Sequence, residues 1–252
     1  MRYSKLGVFF GVALVAVAPA RAELLIGDPS PLTGAVSWHG EQHLAGTELA
    51  VTDLNAKGGV LGEQIRVISV DDACSPEQAV GARKLISAGV MFVVGHVCSG
   101  SAIPTASLYE AAGVIVISAS ATNPRLTEEG RANVFRVCGR DDQQGIIAGN
   151  YLADHWGEKE IAILHDGEAY GRGLAEETKK TLNARGVREA MFERITPGLV
   201  DYFEVVEKIQ ATNVDVLYLQ PRASAPRLPQ PGPESVGHRR TIRQQSPARQ
   251  GG

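Results

Sequence analysis

The sequence is poor in residues that announce chemistry. It holds three cysteines and six histidines in 252 residues, and no pair among them has metal-ligand spacing. Neither sign of charge dominates: 25 basic side chains stand against 28 acidic ones. That balance excludes the strongly basic surface a nucleic-acid partner would need. No G-x-G-x-x-G or G-x-x-x-x-G-K-[ST] loop is present to cradle a phosphate. The first strand instead runs into Asp28-Pro29-Ser30-Pro31-Leu32-Thr33-Gly34, and Gly171-Arg172-Gly173 reads as a helix entry. Ser99 lies between Cys98 and Gly100 without a nucleophile elbow. Its spacing to His39, His96, His155 and His165 places no base beside it, so these histidines read as loop or surface residues. Asp71-Asp72, at a strand end, reads as a turn or helix cap.

Long apolar runs are also missing after the first twenty or so residues, and a bilayer span needs about 20. The start of the chain is different. Arg2 and Lys5 precede a short apolar core, Leu6 to Ala18, and Ala20-Arg21-Ala22 forms an A-x-A site. This is the pattern of a secretory signal over 1–22, with cleavage near Ala22 and delivery beyond the inner membrane. Cysteine usage fits that address. Cys74 and Cys98 each follow a strand-like run, and adjacent parallel strands would bring them together for a bridge in an oxidising compartment. Cys138 is left as a small, mostly buried apolar residue.

From Glu23 to Leu219 short β-rich runs alternate with helical stretches. Strands are expected at Leu24–Gly27, Gln64–Val70, Met91–Gly95, Val114–Ser118 and Val134–Val137, then at Ile161–His165, Glu189–Ile195 and Val214–Tyr218. Helices are expected over His43–Ala56, Pro76–Ala88, Ala102–Ala112, Gln143–His155, Gly173–Arg185 and Tyr202–Thr212. Strands spaced by such helices imply βαβ units and parallel sheets covered on both faces. The pattern breaks near Thr122 to Arg140, which predicts an α/β lobe over 23–140 and a second, partial one over 141–219. The segment 220–252 changes character, with six of the chain's 13 prolines and no aromatic residue. It is expected to lack a core, either as a natural basic tail or as translation out of frame; composition and position favour the second.

Ligands of open α/β sheets sit at the carboxyl ends of the strands. Ser99, Ser101, Ser118, Ser120 and Thr122 follow two consecutive buried strands and would share one such edge. Hydroxyls and free N–H groups there suit a carboxylate, and Asp141, opening a helix beyond the break, suits an ammonium group. Taken singly, each of these residues also fits a helix cap.

At these residues the chain resembles the periplasmic branched-chain amino acid (leucine/isoleucine/valine) binding proteins of ABC importers. The resemblance rests on Gly46-Thr47-Glu48-Leu49-Ala50, Asp53-Leu54-Asn55-Ala56-Lys57-Gly58-Gly59 and Asp71-Asp72-Ala73-Cys74. It continues through Gly95-His96-Val97-Cys98-Ser99, Ser120-Ala121-Thr122-Asn123-Pro124, Arg136 and Asp141, to His165-Asp166 with Tyr170-Gly171. It implies the type I periplasmic binding protein fold, a Cys74–Cys98 disulfide, no cofactor, an inner-membrane permease as partner and a periplasmic location. It also implies a ligand carboxylate on the Ser99 hydroxyl and the Thr122 N–H, and a ligand ammonium on the Ser120 carbonyl and the Thr122 hydroxyl. Asp141 and Tyr170 would line the opposite wall, and Trp38 or His39 would cap the side-chain pocket. The chain departs from the family at Leu219-Gln220-Pro221-Arg222, where a Gly-Gly-Tyr loop is expected. The later acidic ammonium partner and the chain's return to the first lobe are also missing, which should leave apolar sheet faces exposed.

Overall fold

Runs such as Ile161-Ala162-Ile163-Leu164 can be buried only if both faces of their sheet are covered, and the computed structural model, which describes residues 23–220, shows how. The first half holds β1 (Glu23–Ser30), α1 (Ser37–Ala56), β2 (Gln64–Asp71), α2 (Ala79–Ser87), β3 (Phe92–Val94), α3 (Ser99–Ala111), β4 (Ile115–Ser118), α4 (Arg125–Glu128) and β5 (Val134–Arg136). The second holds α5 (Asp141–Trp156), β6 (Ile161–His165), α6 (Ala169–Ala184), β7 (Met191–Arg194), α7 (Phe203–Ala211) and β8 (Val216–Gln220). The strands form two sheets, ordered β2-β1-β3-β4-β5 and β7-β6-β8, and every pairing is parallel. We refer to each sheet with its helices as a lobe. No helix of the described residues is long and apolar enough to cross a membrane. The expected leader and the segment from Pro221 onward lie outside the described residues.

Parallel pairing puts all the carboxyl ends of a sheet on one edge. In the first lobe, Val93, Val116 and Val134 pack from β3, β4 and β5 against Leu85, Ala102 and Tyr109 of α2 and α3. The other face of that sheet carries α1 over β1 and β2, but Ile117 of β4 and Phe135 of β5 stay 40% and 49% exposed. The expected open apolar face is therefore present. In the second lobe β6 is buried at every residue. Ile161 and Ile163 meet α5 and α6, while Ala162 and Leu164 face the cluster that includes Val205 and Ile209 of α7.

Three expectations change. The strands β2 and β3 are not neighbours, because β1 lies between them. The disulfide forms nonetheless, with Cα atoms 5.3 Å apart, since the loops after β2 and β3 reach over the end of β1. Cys138 is free and only half-buried. Helices α1, α3 and α6 begin three to six residues before the expected positions (Ser37 against His43, Ser99 against Ala102, Ala169 against Gly173). Their first turns are rich in small or polar residues and carry no apolar periodicity to signal a helix.

The two helices that open the second lobe meet through glycine. Gly145 and Gly149, four residues apart on α5, share a face. A Cβ at Gly149 would lie 2.6 Å from the Thr181 Cβ and 2.7 Å from the Thr178 carbonyl of α6. The backbone of α6 cannot give way, so Gly149→Ala should lose about 1–2 kcal/mol, the strain of overpacking exceeding the gain in helix propensity. The same change at Gly46 of α1, where nothing lies within 4 Å, should gain about 0.5–1 kcal/mol. Denaturant unfolding of the two variants checks the opposite signs.

Candidate functional site

The carboxyl edge of the first sheet is organised by a buried acid. Asp72 has no exposure to solvent, and its N–H donates to the Ser30 carbonyl (3.0 Å), extending the β1–β2 ladder. Its carboxylate accepts from the Cys74 N–H (2.9 Å) and the Ser101 hydroxyl (2.8 Å), and pairs with His96 Nδ1 at 2.6 Å. On the far side of that ring, Nε2 is 3.0 Å from the Thr105 hydroxyl and 3.2 Å from that of Tyr109. Burial pushes the Asp72 pKa up, but His96, the Cys74 N–H and the Ser101 hydroxyl outweigh it and hold the carboxyl below its ordinary value. Burial, with the Asp72 charge nearby, raises the Tyr109 phenol instead. The whole network is internal. It pins the start of α3, and with it Ser99.

The five hydroxyls expected at this edge divide. Ser101 is committed to Asp72, and Ser118 donates to the His96 carbonyl (2.7 Å) while accepting from the Ala121 N–H. Ser120 holds the Val97 carbonyl at 2.8 Å. Ser99 is the first residue of α3 and is 1% exposed; its oxygen accepts from the Asn123 N–H at 3.2 Å, which leaves its O–H to donate. Among the described residues, no hydrogen bond reaches the Ser120 carbonyl, the Thr122 N–H or the Thr122 hydroxyl. These three groups and Ser99 occupy one short turn after β4 and the helix start beside it.

The second lobe brings Asp141 to the same turn. Asp141 opens α5, its N–H donates to the Thr122 carbonyl at 3.0 Å, and it is fully buried. Neither carboxylate oxygen has a hydrogen-bond partner of good geometry. Burial pushes its pKa up to about 6, although the nearby Thr122 hydroxyl and Arg136 pull the other way. Tyr170 stands at the start of α6, where burial and the nearby Asp141 charge push its phenol up to about 12. Tyr218 of β8 is raised by burial as well, with Asp141 a lesser cause. Arg136 ties the turn down, donating to the Ala121 and Asn123 carbonyls at 3.1 and 2.9 Å.

Thus Ser99, Ser120 and Thr122 share one turn and the helix start beside it, Asp141 is joined to that turn through the Thr122 carbonyl, and Tyr170 lies near enough to feel the Asp141 charge. Trp38 and His39 do not take part in that hydrogen bonding; they stack on each other at 3.4 Å in the first turn of α1, on the same edge of the sheet. Tyr218 was missed, because a tyrosine in a strand pattern reads as core. Asn123 and Arg136 were visible only as motif letters. Gly171 and Gly173 do serve a helix entry: a Cβ at Gly171 would lie 2.3 Å from the Gln220 carbonyl, and one at Gly173 would lie 2.5 Å from the Asn123 amide nitrogen. Ser99 has no histidine as a hydrogen-bond partner among the described residues, and His96 is engaged with Asp72.

A family model described as "Periplasmic binding protein" matches residues 23–226. The chain belongs to that family. An amino acid binding protein of Pseudomonas aeruginosa is 44% identical over 201 residues, 79% of this chain and 54% of its own length. A Leu/Ile/Val-binding protein homolog of Brucella abortus is 43% identical over 219 residues, 85% of this chain and 59% of its own. Among solved periplasmic binding proteins, a type 1 member from Bordetella pertussis superposes with TM-score 0.72 at 27% identity, covering 79% of this chain and 55% of that one. A leucine-binding protein from Thermotoga maritima gives TM-score 0.69 at 25% identity, with 78% and 55% covered. The chain thus spans little more than half the length of these relatives.

An acid raised to about 6 destabilises the folded chain at neutral pH. Its folded state binds more protons than the unfolded one between the ordinary carboxylate pKa and 6, so stability falls as pH rises through that window. Asp141→Asn should therefore stabilise the ligand-free chain at pH 7 by about 1–3 kcal/mol and flatten its stability between pH 4 and 6.5. Urea unfolding of both forms across that range checks this.

Proposed function

We propose that this chain binds an aliphatic α-amino acid (leucine, isoleucine or valine) between its two lobes, as the periplasmic receptor component of an ABC importer with an inner-membrane permease as its partner. The observation that carries this reading is the set of polar groups left available along one turn and beside Asp141. A buried carboxylate with no well-formed hydrogen bond, an open carbonyl, an open N–H and two hydroxyls are the complement of a zwitterion. A buried polar group without a partner, as at the Asp141 carboxylate and the Thr122 hydroxyl, costs about 1–3 kcal/mol, and a ligand ammonium would satisfy both. The carboxylate end goes to the Ser99 hydroxyl, at the N-terminus of α3, and to the Thr122 N–H, where the helix dipole favours negative charge. The ammonium end goes to the Ser120 carbonyl, the Thr122 hydroxyl and Asp141.

No bond is made or broken in this function, so it calls for neither nucleophile nor cofactor. The Tyr170 ring supplies a wall from the second lobe, and Trp38 or His39 a lid from the first. Their shape selects an apolar side chain, a discrimination of about 1–3 kcal/mol per methylene. The names of the relatives support the ligand class, and the leader pattern together with the Cys74–Cys98 bridge supports the periplasm.

Calorimetric titration of the purified chain with leucine, isoleucine and valine is the test. Saturable binding at pH 7 is expected, weakening about tenfold between pH 7 and pH 5 as Asp141 gains a proton and loses its attraction for the ammonium. A folded chain that takes up none of the three would assign ligand binding to the longer relatives alone.

A further inference from the structure

Asn123 is 6% exposed and uses all four of its polar groups. Its N–H donates to the Ser99 hydroxyl (3.2 Å), and its carbonyl accepts from Arg136 (2.9 Å). Its side-chain oxygen accepts from the Arg125 N–H at 3.0 Å, closing a turn into α4. Its side-chain nitrogen crosses to the second lobe and donates to the Ala169 carbonyl at 2.7 Å. The two side-chain partners fix the amide's orientation, since one can only donate and the other only accept. Ala169 is the first residue of α6 and directly precedes Tyr170. Across from the amide lies Gly173, where a side chain would come within 2.5 Å of the nitrogen. The second lobe is thus shaped to admit it.

From this geometry we propose that Asn123 is the clasp between the lobes: one residue holds the ligand-binding hydroxyl of Ser99 by its backbone and the opposing wall by its side chain. The clasp rests on the amino-acid-binding reading, with Asn123 as a positioning residue that touches no ligand. It links the Ser99 hydroxyl to the first residue of α6 through a single residue, so occupancy at Ser99 and closure against Tyr170 favour each other. The bond is partly desolvated, where hydrogen bonds weigh more than at the surface.

The discriminating variant is Asn123→Asp. It keeps the acceptor for the Arg125 N–H, and therefore the turn, but faces the Ala169 carbonyl with a second acceptor. At pH 7 leucine should bind about tenfold more weakly than to the parent chain, mostly through faster dissociation. As pH falls the new carboxyl gains a proton and can donate again, so the ratio of variant to parent affinity should recover towards one, a response that simple loss of fold would not produce. Gly173→Ala should weaken binding from the opposite side, and the double variant should add little to either change. Equal affinity of Asn123→Asp and parent at pH 7, or additive losses in the double variant, would overturn the clasp. Should the parent chain bind no leucine, the functional reading fails separately. X-ray scattering then decides the clasp: a larger radius of gyration for Asn123→Asp than for the parent at pH 7 supports it, and equal radii overturn it.

Discussion

Asp72 is a carboxylate sealed from water, and the hydrogen bonds that make this tolerable are the ones that shape the carboxyl edge of the first sheet. An isolated buried charge would cost far more than folding can spare, so it survives only with a full set of donors. Those donors are His96, the Ser101 hydroxyl and the Cys74 N–H. They come from three different segments, and satisfying one anion draws the loops after β2 and β3 and the first turn of α3 into a single cluster. The disulfide crosses the same place. Ser99 inherits its position from this arrangement, because it stands between the bridged Cys98 and the anchored Ser101.

The opposite condition holds a short distance away. Asp141 is just as buried, but its carboxylate has no donor of good geometry and its pKa rises. The two acids illustrate how one fold can treat the same side chain in two ways. One is paired within the protein and serves structure. The other has only the nearby Thr122 hydroxyl and Arg136 to offset its burial, and it is the residue assigned above, as a proposal, to a ligand ammonium. Burial of Asp141 therefore costs stability at neutral pH, where that of Asp72 does not.

Much of the architecture was legible in the chain because it follows from local pattern. The run Ile161–His165 reads as a doubly buried strand and is one, residue for residue. Helix starts were legible less well, as at Ser99, where Ser-Gly-Ser carries no apolar rhythm. The hydroxyl cluster was legible as a set of five but not as individual roles, since nothing local distinguishes Ser118 and Ser101, spent on internal bonds, from Ser99 and Thr122. Tyr218 was hidden by its strand context.

The sequence by itself determined the alternation of strands and helices, their parallel pairing, the edge at which polar loops collect, and the motif runs that mark the family. These depend on periodicity and on residue types within a few positions of each other. Only the tertiary structure decided that β1 separates β2 from β3, that the disulfide reaches across it, and that Asn123 joins the lobes. Each of these is settled by contacts between segments far apart in the chain, such as Asn123 with Ala169 or Asp72 with His96. Strand order and the choice of hydrogen-bond partner are properties of the packed whole, and no local pattern encodes them.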